Sequence, residues 1–193
     1  MIVVLSGITG VGKSYLKKHI INKLNFKNIV IVTTREKRKK ERNGIDKFFV
    51  SEEEFRELEQ SGKITVSFEF LGNKYAYFTK DLNSIENSIT ELHYSTISEF
   101  KKKAKNVIAI YIKPKNIEVA KKQLKLRGLP WKVEKQRLQE IKEQVLEFEK
   151  NENIKKEFDY IIYNDYTEKT LEKAIDLLEK ELIEEESLCL KEG

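Results

Sequence analysis

Short apolar runs alternate along the chain with segments in which apolar residues recur at helical spacing. Ile2 to Leu5, Ile29 to Thr33, Val107 to Ile112 and Tyr160 to Tyr163 read as buried strands, with a weaker one at Ile89 to Leu92. After Lys13, the residues Leu16, Ile20, Ile21 and Leu24 share one helical face. Further helices are predicted from about Thr96 to Lys103, Ile117 to Leu126, Lys132 to Phe148 and Glu168 to Glu185. Strand-helix alternation of this kind implies an α/β fold, a mostly parallel sheet covered by helices on both faces.

Between Thr33 and Lys80 the pattern changes. A basic loop leads to Phe48 to Val50, and Ser51-Glu52-Glu53-Glu54 then reads as a capping box that opens a helix to about Gln60, with Gly62 as its stop. Ile64 to Phe70 and Lys74 to Phe78 flank Leu71-Gly72-Asn73, a hairpin between strands rich in aromatic and β-branched residues. This is the signature of a small lobe inserted into the α/β core.

At 193 residues the chain is long enough to bury one real core, and no Pro/Gly/Ser linker or internal repeat divides it. Charged residues make up 36% and hydrophobic ones 39%, with no apolar run long enough to cross a membrane. Met1 to Leu5 enters the first strand without a basic leader, so a cytoplasmic protein is expected. The lone Cys189 has no partner for an internal disulfide. The net charge of +5 suits a protein that handles phosphates. Its densest basic stretch, Arg35 to Arg42, carries six positive and two negative side chains.

The strand-to-helix junction carries the clearest chemistry. Gly7-Ile8-Thr9-Gly10-Val11-Gly12-Lys13-Ser14 fits the phosphate-binding pattern G-x-x-x-x-G-K-S/T. In such a loop the backbone N–H groups converge on nucleotide phosphates, Lys13 reaches the β/γ oxygens, and the Ser14 hydroxyl helps hold Mg²⁺. The helix that follows adds the positive end of its dipole.

The chain also carries Thr33-Thr34-Arg35-x-x-Arg38, Asn43-Gly44, Phe49-Val50-Ser51-x-x-x-Phe55, Gly72-Asn73-x-Tyr75 and Tyr160-Ile161-Ile162-x-Asn164-Asp165. Together with the phosphate loop, these resemble the guanylate kinases over almost the whole length. The resemblance implies a P-loop kinase core (1–32, 81–126 and 151–193), an α+β monophosphate-binding lobe (33–80) and a helical lid (127–150). It implies transfer of the ATP γ-phosphate to GMP or dGMP. Small nucleotides are the expected partners, and the sequence leaves both a monomer and a homodimer open. Arg35, Arg38 and Tyr75 then clamp the acceptor phosphate, Arg127 and Arg137 close over the transferring group, and Asn164 lies near the adenine. Arginine suits such work because its planar fork matches phosphate oxygens bidentately.

Other positions depart from the family. Val66 stands where a base-reading Glu is usual, and Glu69, three residues later, substitutes only if a bulge shifts the register. Tyr77 replaces a small hydroxyl residue, and Lys47 replaces a Tyr on the monophosphate. Thr90-Glu91-Leu92-His93 stands for Leu-Asp-x-Asp, which makes Glu91 the metal-side acid and brings His93 to the acceptor. Three alternatives remain open at this point: a kinase of the same kind whose acceptor is a modified nucleotide or a phosphorylated sugar, a non-catalytic phosphopeptide module of the same fold, and a nucleic-acid binder using Arg35 to Arg42. The intact Gly12-Lys13-Ser14 weighs against the second, and the scarcity of aromatics in the basic run against the third.

Overall fold

The computed structural model describes the backbone of residues 1–192 and the side chains of residues 1–187, so the Cys189 side chain lies outside the described residues. In chain order the elements are β1 (Ile2–Ser6), α1 (Lys13–Leu24), β2 (Lys27–Asn28), β3 (Val32–Thr33), β4 (Phe48–Phe49), α2 (Glu52–Gln60), β5 (Ile64–Phe70) and β6 (Asn73–Phe78). They continue with α3 (Thr79–Leu82), β7 (Ser88–Glu91), a 3-10 turn (Tyr94–Thr96), α4 (Ile97–Lys103), β8 (Val107–Pro114), α5 (Ile117–Lys125), α6 (Trp131–Lys150), α7 (Glu152–Lys156), β9 (Tyr160–Asn164) and α8 (Glu168–Glu192).

The central sheet has five parallel strands in the order β2-β7-β1-β8-β9. Period-two alternation sends successive side chains of β1 into different cores. Val3 and Leu5 pack with Ile110, Ile112, Leu16 and Leu178 on one face. Ile2 and Val4 pack with Ala109, Tyr111, Phe100 and Phe148 on the other. Strands buried on both faces read as continuous apolar runs, which is why β1 and β8 are legible in the sequence.

The expected strand from Ile29 to Thr33 is not one strand. Lys27 and Asn28 pair with β7, whereas Val32 and Thr33 join a second sheet, of order β4-β3-β6-β5. The intervening Ile29 and Ile31 are buried, so their apolar character reports burial at the crossing between sheets and not continuous pairing.

The second sheet is closed on one side by α2, whose capping box forms as expected. The Ser51 hydroxyl accepts from the Glu54 N–H at 3.1 Å, and the Glu54 carboxylate accepts from the Ser51 N–H at 2.7 Å. The hairpin turn is the two-residue Leu71-Gly72, both at positive φ (50° and 69°), the geometry whose twist matches paired strands. In β5 the register shifts between Thr65 and Phe68, and Val66 sits at φ 53°, an unfavourable conformation for a β-branched residue, with only 1% exposure. Among the described residues no helix is long and apolar enough to cross a membrane.

Candidate active site

The phosphate loop lies between β1 and α1 at the C-terminal edge of the parallel sheet, where ligands of open α/β sheets bind. Its shape demands glycine at both ends. A Cβ on Gly7, at φ 136°, would meet the Ile112 carbonyl oxygen at 2.3 Å, and one on Gly12, at φ 94°, would lie 2.7 Å from the Asn164 amide nitrogen. Ile8 and Val11 are fully buried and pin the loop to the core, while Gly7, Thr9, Gly10, Gly12, Lys13 and Ser14 line a cleft of about 1210 Å³.

Asn164 has a structural role in the loop. Its amide donates to the Val11 carbonyl at 2.7 Å and its oxygen accepts from the Tyr166 N–H at 2.7 Å. The side chain braces the loop from beneath, and Tyr166 adds a hydroxyl bond to the Gly10 carbonyl at 3.2 Å. With its amide nitrogen and oxygen both bonded to backbone, Asn164 supports the phosphate loop from a position that also lines the cleft.

Lys13 donates to the carbonyls of Gly7 at 2.6 Å and Ile8 at 3.0 Å, which holds its ammonium over the loop. Burial pulls its pKa below the usual lysine value, and Arg127 and Arg137 act in the same direction against Glu91 and Glu140. Glu91, at the end of β7, pairs with Lys17 at 3.4 Å. Burial works to raise the Glu91 pKa, but Lys17, Lys13, Lys47 and the Ser14 hydroxyl outweigh it and keep the carboxyl below its ordinary range. Ser14 and Glu91 thus form an adjacent pair of oxygen donors beside Lys13.

Across the cleft, Arg35 Nη2 donates to both oxygens of Glu41 at 2.8 Å each, Nη1 donates to the Glu36 carbonyl at 2.6 Å, and the guanidinium lies over the Phe49 ring at 5.4 Å. Glu41 also accepts from the Arg38 backbone N–H at 2.8 Å, which fixes the loop so that both arginines face the cleft. Burial and then Arg35 lower the Arg38 pKa, a sign of cations gathered together. Tyr75, on β6, stacks on Phe68 with centroids 5.3 Å apart, and Lys47 lies over its ring at 5.9 Å. Burial lowers the Lys47 pKa to about 8.

Glu69 does not reach this site. The bulge that its participation required is present, but it turns Phe68 and Phe70 toward the cleft. Alternation along β5 then puts Glu69, between them, on the exposed side opposite Lys74.

Arg127 and Arg137 both line the cleft, from the end of α5 and from α6. Arg137 lies 5.0 Å above the Phe70 ring and pairs with Glu140 at 3.1 Å. The Glu140 carboxylate also accepts from Gln144 at 2.8 Å, and the Gln144 amide nitrogen lies 3.0 Å from His93 Nε2. His93 therefore lines the cleft as part of a chain joining α6 to the loop after β7. Burial holds its pKa down at about 4, with Lys13 adding to the effect.

Thus Lys13, Ser14, Arg35, Arg38, Tyr75, Glu91, His93, Arg127 and Arg137 converge on one cleft. The comparisons with known proteins agree with that convergence. The guanylate kinase family profile matches residues 1–181. The chain belongs to the guanylate kinase family. It is a nucleoside monophosphate kinase. Its relatives include the guanylate kinase of Malacoplasma penetrans, 31% identical over 95% of this chain and 94% of that protein, and that of Streptococcus pneumoniae strain R6, 29% identical over 98% and 89%. Among solved structures, guanylate kinase from Anaplasma phagocytophilum aligns with a TM-score of 0.66 and 25% identity, covering 94% of this chain and 85% of that one.

Within this family member, sequence reasoning missed Lys17, Glu41, Glu140 and Gln144. Helical spacing carried a signal for most of them: Lys17 lies one turn beyond Lys13, and Arg137, Glu140 and Gln144 fall on one face of α6. The hydrogen bond from Gln144 to His93 bridges 51 positions of sequence and had no local signature.

Proposed function

We propose that the protein transfers the γ-phosphoryl group of ATP to the phosphate of GMP or dGMP with the help of Mg²⁺. The observation that carries this reading is the meeting, in one cleft, of a phosphate loop with its Lys13 and a separate arginine clamp from the second sheet. Two anions that repel each other can be brought together only where positive charge surrounds both, and phosphoryl transfer asks little else of a protein.

In this reading the loop N–H groups and Lys13 hold the donor phosphates, Arg38, Arg35 and Tyr75 hold the acceptor phosphate, and Arg127 and Arg137 stabilise charge on the moving group. Residues 33–80 act as the acceptor-binding lobe and residues 127–150 as the lid. Ser14 and Glu91 would hold Mg²⁺. Their oxygens suit a hard cation, and with only two protein donors the remaining ligands are water and phosphate, as Mg²⁺ prefers. When bound, the ion neutralises charge on the β and γ oxygens.

The test is an ADP-release assay with ATP and Mg²⁺ across a panel of nucleoside monophosphates and sugar phosphates. Turnover with GMP and dGMP is expected. Absence of turnover with every acceptor would defeat the kinase reading.

A further inference from the structure

Resting on that reading, we propose that Trp131 covers the adenine of bound ATP, brought there as the first turns of α6 fold over the donor end of the cleft. The order of the central sheet says on which flank that base lies. The phosphate loop follows β1, and the second sheet is tied to the β7 and β2 flank, where Glu91 ends β7 and the Asn28 amide of β2 donates to the Ile45 carbonyl at 3.3 Å. The donor nucleoside therefore leaves the loop over the opposite flank, beside the segments that follow β8 and β9. There Gly10 is held between Ala120 of α5, whose carbonyl oxygen would lie 2.4 Å from a Cβ at Gly10, and Tyr166, whose hydroxyl bonds the Gly10 carbonyl at 3.2 Å. Gln123, Leu126 and Thr167 continue the lining of the cleft past that point.

The lip of this flank is apolar and uncovered. Leu126 is 72% exposed, Trp131 71% and Val133 39%, all within eight consecutive positions. Exposed apolar residues scattered singly are ordinary, but a group of them at the edge of a cleft marks a contact surface. The segment that carries them has room to move. A Cβ on Gly128, at φ 62°, would meet nothing within 4 Å, so the connection from α5 to α6 is not packed at that point. The far half of α6 is fixed instead: Ile141 is fully buried, and Phe148 stacks on Tyr111 with centroids 3.6 Å apart. Bending is thus confined to the start of the helix. Leu129 already lines the cleft, and the two residues from there to Trp131 span up to about 7 Å of chain. Lys135, one turn further on, lies 5.3 Å from the indole centroid and keeps a cation beside the same opening.

The chain has one tryptophan, so its emission reports on this contact alone. Titration with Mg²⁺ and a non-hydrolysable ATP analogue is expected to lower that emission, and inorganic tripolyphosphate, which has the phosphates without the base, to leave it nearly unchanged. An analogue that binds by calorimetry without altering the emission, or tripolyphosphate that lowers it as far, overturns the proposal and leaves the kinase reading intact. If the analogue does not bind, the kinase reading falls as well. Because the side chain is exposed, its replacement does not endanger the fold. Trp131→Ala is expected to raise the KM for ATP about tenfold with the acceptor KM unchanged, and Trp131→Phe, which keeps an aromatic face, to recover most of the loss. An ATP KM that stays at the parent value in Trp131→Ala overturns the assignment.

Discussion

In the proposed function the donor and acceptor sides of the cleft are built by different means. The donor side is a stretch of eight consecutive residues, Gly7 to Ser14, whose backbone would cradle the phosphates and whose buried Ile8 and Val11 anchor it. The side proposed for the acceptor draws its lining from the Arg35 to Lys47 loop, the β5–β6 hairpin, the loop after β7 and α6. A site made of backbone tolerates little change in sequence because its geometry is the function. One made of side chains can be rewritten residue by residue, as Val66, Tyr77, Lys47 and His93 illustrate.

Substitutions on the two sides should therefore separate in kinetics. Lys13→Ala is expected to lower kcat by about a thousandfold with the melting temperature little altered, since its ammonium bonds only loop carbonyls. A kcat within tenfold of the parent would remove Lys13 from the chemistry. Arg38→Ala is expected to raise the acceptor KM by about ten- to a hundredfold while leaving the ATP KM unchanged. Loss of ATP affinity in that variant would erase the division between the two sides.

Lys47 sharpens the comparison through pH. Its ammonium lies among Glu91, Lys17, Arg35 and Glu41, and its charge is present below about pH 8 and lost above it. Acceptor kcat/KM should fall by up to about tenfold per pH unit beyond that point, and Lys47→Arg, which stays charged, should flatten the profile. An unchanged profile in Lys47→Arg would assign the alkaline limb to another group. The smallest effect is expected beneath the donor loop. Asn164→Ala removes a buried bond to Val11 worth about 1–2 kcal/mol, and should lower the melting temperature by about 2–6 °C and raise the ATP KM a few-fold. A change in acceptor KM alone would contradict the bracing role.

The same contrast explains what could be read in the sequence. β1, the phosphate loop and α1 follow one another without a break, so periodicity and motif locate them together. The α2 capping box and the β5–β6 hairpin were legible for the same reason, as local chemistry. The crossing at Ile29 to Ile31 was not, because a buried apolar run looks alike whether its backbone pairs with one sheet or passes between two. Glu69 was misjudged because the presence of a bulge does not tell which of its neighbours faces inward. The path from Arg137 through Glu140 and Gln144 to His93 joins segments that only folding brings together.

The crossing has a mechanical consequence. At Ile29 the chain is still tied to the central sheet: its N–H donates to the Ile89 carbonyl at 3.0 Å, and its carbonyl accepts from the Thr90 hydroxyl at 3.2 Å. Two residues later, the Ile31 carbonyl already accepts from Phe48 in the other sheet. A single residue, Val30, separates the two attachments, so the tether between the sheets is short. Its fixed end bears on Thr90, immediately before Glu91. The Tyr77 hydroxyl, donating to the Glu91 carbonyl at 2.7 Å, ties β6 to the same place, so the second sheet is anchored against the strand that carries that acid.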